Sequence, residues 1–339
     1  MSGTTSAVPD REQWLARTVE PALDAGLPVC DPHHHVWIHP GSRYLVDELL
    51  ADFGGHRVTS TVFVECHQFY RDHGPEQLRA IGETEYVEAL AGPHRGSAGV
   101  TQIAAGIVGF ADLTQGAAVR EVLDAHRAAS HRFRGIRYAT AWDASPQIRR
   151  SHTDAPAGLL ADRRFREGFA CLRDGGLVFD AWAYHPQLPE LADLARAFPD
   201  VPIVVDHAGG PLGIGPYAGR RDEVYALWRA HIIELARLPN VVVKLGGLTM
   251  TMSGHGWHKR EAPPGSAEIA AAIAPYVHTC IEHFGPDRCM FESNFPVDRA
   301  SCSWVVLWNA CKRLCRGYSP GERAALLHDT AVRVYRLEP

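Results

Sequence analysis

"VCDPHHHVW", residues Val29 to Trp37, places three consecutive histidines behind a short apolar run and a proline. Three adjacent imidazoles make poor core material and a poor helix start, whereas a β-strand gives them an order. Side chains alternate between the two faces of a strand. Asp31, His33 and His35 then face one way, and Pro32, His34 and Val36 the other. Two imidazoles on one face, about 7 Å apart along the strand, reach one metal ion, which takes nitrogen ligands at roughly 2.0–2.1 Å. The competing reading is a histidine-rich surface turn, which a chain with 19 histidines readily supplies.

Working outward, apolar and β-branched runs recur along the chain, each followed by an amphipathic segment. Besides Val29–Trp37, the predicted strands are Ser60–Gln68, Gln102–Leu113, Phe133–Trp142, Gly176–Pro186, Pro202–Gly210, Asn240–Leu248 and Arg288–Val297. Helical patterns cover Pro75–Leu90, Ala117–Ala129, Phe165–Asp174, Asp222–Leu238 and Ser266–Phe284. A last helix pair, Ser303–Arg316 and Pro320–Tyr335, ends the sequence. Eight strand-then-helix units are the plan of a parallel (β/α)8 TIM barrel of class α/β. An open doubly wound sheet is the alternative, but it wants a Gly-rich loop after its first strand. Here that strand ends in histidine and tryptophan. Residues 1–27 read as a short N-terminal extension with a helix, and 28–339 as the barrel domain with its C-terminal helices.

The 339 residues are 46% hydrophobic and 22% charged, an ordinary globular composition. The formal net charge of −5 and the lack of a Lys/Arg block argue against nucleic acid or an anionic membrane as partner. No apolar run reaches the roughly 18 residues of a membrane span. The start "MSGTTSAVPDREQ" lacks the pattern of a signal peptide. Eight cysteines without CxxC pairs fit a reducing cytoplasm better than a disulfide framework. The expected partner is a small-molecule substrate. A homo- or hetero-oligomer is compatible with the sequence, with Cys302, Trp304 and Trp308 as an apolar contact surface.

In such a barrel the active site lies at the C-terminal ends of the strands. Polar residues gather at those ends here. They are His33 and His35 on the first strand, Glu65 and His67 on the second, and Arg134 and Arg137 on the fourth. His185 follows the fifth strand, His207 the sixth, and Lys244 lies on the seventh. Glu292 and Asn294 share a face of the eighth, with Asp298 just beyond. Such convergence favours a metal site over scattered surface histidines. Each member has a bland alternative: His207 as a packing residue, Asp206 as a helix cap or salt-bridge partner, His185 as a loop residue, Arg137 as a rim salt bridge. Glu65 is a carboxylate inside an apolar strand, and either a metal or an arginine has to offset its burial. His131, His152, His278, His283 and His328 read as structural or solvated.

With these residues in place, the chain resembles the amidohydrolase superfamily. The similar branch is the amidohydrolase-2 branch, with sugar and muconate lactonases, the pyrone-dicarboxylate lactonase and aminocarboxymuconate-type decarboxylases. The resemblance spans about residues 29 to 337. It is carried by "DPHHHVW", "RGIR", "YHP", "DHAGG" and "FESNFPVD", the last standing where the family writes G-S-D-W-P. It implies that His33 and His35 bind metal and that His185 and His207 bind metal or polarise the scissile carbonyl. The family's strand-eight aspartate takes a proton from the attacking water, and its position here is Asn294. Asparagine is no base at neutral pH, so Glu292 or Asp298 has to replace it.

The first reading is therefore a metal-dependent hydrolase acting on a lactone or other ester or amide carbonyl of a small carboxylate-bearing metabolite. One or two divalent ions, zinc or manganese, would be held by His33, His35, Glu65, His67, His185, His207 and Glu292. Arg137 would grip a substrate carboxylate. The second reading is a dinuclear iron or iron–manganese oxygenase on the same scaffold, motivated by the loss of the hydrolytic aspartate. Decarboxylation is weakened by the same loss. A non-catalytic barrel subunit is the third reading.

Overall fold

The computed structural model of the protein describes residues 11–338. Near-continuous Val/Ile/Leu runs need cover on both faces, and a ring of parallel strands wrapped by helices supplies it. The barrel strands are β1 (Val29–His34), β2 (Val58–Val64), β3 (Gly99–Gly109) and β4 (Phe133–Ala139). They continue as β5 (Val178–Trp182), β6 (Ile203–Val205), β7 (Val241–Leu245) and β8 (Cys289–Phe291). Every neighbouring pair from β1 to β8 runs parallel in chain order. The seam between β8 and β1 is closed by the residues after β8 rather than by a strand ladder. There the Asn294 amide donates to the His33 carbonyl at 2.9 Å and the His35 amide to the Phe295 carbonyl at 2.8 Å.

The predicted alternation in β1 is corrected by a bulge. Asp31 sits opposite Thr61 while His34 sits opposite Phe63, so β1 spends one residue more than β2. Cys30 belongs to the apolar cluster inside the barrel. Asp31 lies on the other side, its carboxylate accepting from the Ser293 amide at 2.9 Å and the Trp304 indole at 3.4 Å. The bulge then changes the phase of the strand. His34 bonds Thr61 through Nε2 at 2.9 Å, away from the site, and the rings of His33 and His35 meet edge to face at 4.9 Å.

The helices follow the reading closely: Ile81–Leu90, Val119–Ala129, Arg163–Asp174, Arg221–Ala236 and Ser266–Phe284 cover the strands, with a further helix at Leu188–Ala197. An antiparallel strand, Gly92–Gly96, leads into β3, and a hairpin, Trp37–His39 with Ser42–Tyr44, follows β1. The last predicted helix is broken into Pro320–Ala324 and Thr330–Val334 by a wider turn at Ala325–Asp329. Its end turns inward. Ala331, Tyr335 and Leu337 pack with Cys30, Val62, Val178, Val204 and Val242, and Thr330 and Arg333 donate to the Pro286 and Asp287 carbonyls just before the start of β8. The C-terminal segment thus fills the barrel from the end opposite the predicted site.

The N-terminal extension is tied down. Trp14 donates to the Arg260 carbonyl at 2.8 Å, Thr18 to that of Pro263 at 2.8 Å, and Glu20 accepts from the Ser266 amide at 2.7 Å. Residues 1–10 of that segment lie outside the described residues. Cys302, Trp304 and Trp308 are fully buried, so the apolar contact surface expected from them is part of the core instead. Among the described residues no helix is long and apolar enough to cross a membrane.

Candidate metal centre

"VVDHAGG" leaves β6 through four consecutive residues in the left-handed region, at φ 54° for His207, 50° for Ala208, 71° for Gly209 and 56° for Gly210. Two of these are not glycine, and such backbone is kept only where its surroundings enforce it. The result is that His207 meets His33 with ring centroids 4.6 Å apart and Trp182 at 4.7 Å. The "LGG" after β7 makes room for this. A β-carbon on Gly247, itself at φ 63°, would stand 2.5 Å from the His207 ring, and one on Gly246 would stand 2.2 Å from Glu292 Cγ.

One carboxylate holds both imidazoles. Glu292 Oε1 is 2.7 Å from His207 Nδ1, and Glu292 Oε2 is 3.0 Å from His33 Nδ1. Burial alone would raise the Glu292 carboxyl, but the His207 and His33 rings outweigh it and hold the group at about 2. His207 gives its Nδ1–H to this carboxylate and so presents Nε2 outward, the usual arrangement around a protein-bound metal, whereas His33 Nδ1 accepts from the Lys244 ammonium at 3.0 Å. His33 Nε2 is buried and has no partner. Burial, then the Lys244 ammonium, keep the His33 ring well below the ordinary imidazole range, hence neutral as a ligand must be. His33, Asp206 and His207 each offer an atom within 4.8 Å of the others, all buried. The Glu292 carboxylate raises the His207 ring above the ordinary imidazole value against its burial, so a metal would displace a proton there. One neutral imidazole with an unsatisfied nitrogen, a second imidazole and a carboxylate form a donor set for a divalent ion.

Beneath this trio lies a second layer. Lys244 Nζ is 2.5 Å from Asp180 Oδ2, 3.1 Å from Asp206 Oδ1 and 3.0 Å from His33 Nδ1. The Tyr335 hydroxyl is 2.8 Å and 3.0 Å from the two Asp180 oxygens. Burial disfavours the ammonium, yet Asp180, Asp206 and Glu292 hold it above the ordinary lysine value. Beyond β8, Asp298 accepts from Asn294 Nδ2 at 2.6 Å and from the Thr249 hydroxyl. Burial pushes this carboxyl up to about 7 against those two hydrogen bonds.

The structure separates the sequence-predicted residues into groups. His33, His207 and Glu292 come together, with His35 beside them, its Nδ1 2.8 Å from the Val64 carbonyl. Glu292 faces both rings, and a carboxyl held at about 2 is ionised and a weak base at neutral pH. Glu65 takes the arginine solution to its burial. Its carboxylate accepts from Arg137 Nε at 2.7 Å and lies 3.1 Å from His152 Nε2, a histidine expected to be structural or solvated. Arg137 also donates to the Glu65 carbonyl, so this guanidinium anchors the end of β2. His67 does not share a face with Glu65, because β2 stops at Val64 and His67 turns to φ 63° and stacks on Tyr70 at 4.5 Å. His185 does not join the trio either. Its Nδ1 is 3.4 Å from the Leu212 amide and its ring packs on Tyr217 at 5.0 Å. Asn294 serves Asp298. Asp180 and Tyr335 were not anticipated in the site, Lys244 was placed among its strand-end polar residues without a role, and Asp206 was read as a cap or salt-bridge partner. Their signal was present, since "VFDAW" and "VVVKL" each bury a charge in an apolar strand.

Comparison with known proteins agrees with this architecture. The family model described as "Amidohydrolase" matches residues 30–337. An uncharacterized protein of Sinorhizobium fredii, y4mH, is 31% identical over 92% of the chain and 99% of its own length. An L-fucono-1,5-lactonase of Burkholderia multivorans is 29% identical over 79% of the chain and 87% of its own length. The crystal structure of an amidohydrolase from Burkholderia multivorans with bound zinc superposes with a TM-score of 0.67 at 26% identity, covering 91% of this chain and 99% of that one.

Proposed function

The chain belongs to the amidohydrolase family, and we propose that it is a divalent-metal-assisted hydrolase that opens a lactone or related ester of a small carboxylate-bearing metabolite. The observation that carries this reading is the buried trio His33, Asp206 and His207, with the His207 ring oriented by Glu292. The similarity to L-fucono-1,5-lactonase supports the lactone class. The trio would hold the ion, zinc or manganese, which when bound polarises the carbonyl and lowers the pKa of water.

The remaining work falls to the chain itself. Asp298 is a carboxyl with affinity for a proton near neutrality that no cation among the described residues pairs, and it takes the proton of the attacking water at its carboxylate. Asn294 Nδ2 fixes Asp298 Oδ2, so the asparagine found in place of the family's aspartate positions a base instead of being one. Glu292 keeps the His207 ring turned with Nδ1 toward itself, and Lys244 holds His33 by the same ring atom. Trp182 closes one side of His207 and keeps water from it.

The oxygenase reading asks for Glu65 and Glu292 as ligands. Glu65 is ion-paired to Arg137 and Glu292 is shared by two rings, which favours hydrolysis. The test is to incubate zinc- or manganese-loaded protein with a panel of sugar-acid lactones and follow acid release. We expect turnover of at least one lactone by wild type and its loss in Asp298→Asn. Failure to open any lactone, or wild-type turnover by Asp298→Asn, would overturn the reading, and turnover of any substrate disposes of a non-catalytic barrel.

A further inference from the structure

Lys244 is fully buried, and no step of the proposed hydrolysis uses it. Its Nζ lies between Asp180 Oδ2 at 2.5 Å, Asp206 Oδ1 at 3.1 Å and His33 Nδ1 at 3.0 Å. These are two carboxylates and an imidazole converging from β5, the turn after β6 and β1, the donor set that a second metal ion would need. We infer that the Lys244 ammonium is the built-in second cation of the barrel centre, occupying that position permanently and limiting the site to one metal ion. The inference rests on the metal reading of His33, Asp206 and His207 and adds a positioning residue to it.

Three observations carry it. The first is steric. An ion bridging His33 Nδ1 and Asp206 Oδ1 would sit about 2.0–2.2 Å from each. The ammonium already stands about 3 Å from the same two atoms, the spacing of a charge-assisted hydrogen bond. The two cannot both be there. The second is charge. Asp180 and Asp206 are both fully buried, and buried carboxylates need a cation. Lys244 faces both and offsets one of their two charges, so it stands in for a second ion, while Asp206, whose oxygens have no hydrogen bond among the described residues, keeps a charge for the ion of the trio. The third is anchorage. The Tyr335 hydroxyl binds both Asp180 oxygens, and its ring lies 5.4 Å from Nζ. The C-terminal segment thus holds the ammonium in place from below.

Lys244 and the ion share Asp206 and His33, so they oppose one another. Removing the ammonium frees three ligand atoms and relieves a repulsion. A residue that only propped up the fold would behave differently, since its loss would spoil the site and weaken metal binding.

The experiment titrates wild type, Lys244→Gln and Lys244→Arg with manganese and with zinc. Affinity is read by calorimetry, bound ions per chain are counted by mass spectrometry, and folding is checked by circular dichroism. The expected result is no more than one ion in wild type. Lys244→Gln should bind metal at least about tenfold more tightly, the size of effect that partners of metal ligands have, or take a second ion. Lys244→Arg should return to wild-type binding. If Lys244→Gln fails to fold, Asp180→Asn/Lys244→Gln removes one carboxylate with the ammonium, and the same gain is expected of it. Two ions in the wild-type centre would overturn the inference, whatever the variants do. Equal or weaker binding by a folded Lys244→Gln would overturn it and leave a one-ion hydrolase standing. No ion in wild type but one in Lys244→Gln would uphold Lys244 as the resident cation and remove the metal reading of the native enzyme. No ion in either would remove both.

Discussion

Asp298 and Glu292 are both fully buried carboxylates at the same end of the barrel, and their surroundings drive them apart. Glu292 faces two imidazoles and is held at about 2, whereas Asp298 receives only neutral donors and is pushed up to about 7. Divergent carboxyls of this kind mark separate tasks. If Asp298 is the base, it works only when deprotonated, so kcat/KM should rise with pH through about 7 and level off above it. Asp298→Asn should lower kcat/KM roughly 10²- to 10⁴-fold and abolish that limb, which a pH profile of both proteins checks. Glu292→Gln should leave the barrel folded but weaken metal affinity about 10- to 100-fold, read by calorimetry. At this scale the sequence was informative wherever a histidine ended a strand. His33 and His207 came together as expected. His185 and His67 did not, because a helical turn after β5 and a left-handed residue after β2 redirect them. Pro186, directly after His185, announces the first turn, whereas no glycine or proline marks the second at His67.

Among the elements, β1 and the loops after β6 and β7 place the site. The bulge in β1 decides which histidines face inward, and it is invisible to a count of alternating positions. Simple alternation placed Asp31 with His33, yet Asp31 lies outside, bonded to Ser293 and Trp304. The inward direction of His33 was read correctly, but through a phase that the strand changes midway. The "DHAGG" and "LGG" loops are the counterpart. Gly247 sits at φ 63° with no room for a β-carbon beside His207. Gly247→Ala should therefore cost about 1–3 kcal/mol in urea unfolding and should displace His207, so that metal affinity falls as well. Unchanged stability and affinity would mean that this backbone is not held as described.

For the molecule as a whole, eight strand-then-helix units and their order were legible because strands buried on both faces leave long apolar runs. How the barrel is filled was not. Ala331, Tyr335 and Leu337 enter it from the far end, and a terminal helix pattern gives no sign that its last turn belongs inside a barrel. Tyr335→Ala should cost roughly 3–5 kcal/mol, as loss of a large buried aromatic does, and Tyr335→Phe about 1 kcal/mol for the bond to Asp180. Equilibrium denaturation compares the two.

The account turns on a metal ion held by the ends of β1 and β6. The most direct measurement is the metal content of the protein as purified without chelator, beside that of Asp206→Asn and His207→Ala, by mass spectrometry of the digested samples. About one zinc or manganese per wild-type chain, lost or sharply reduced in both folded variants, is the predicted result. A wild-type chain without bound metal, or an ion retained in full by both variants, would contradict it.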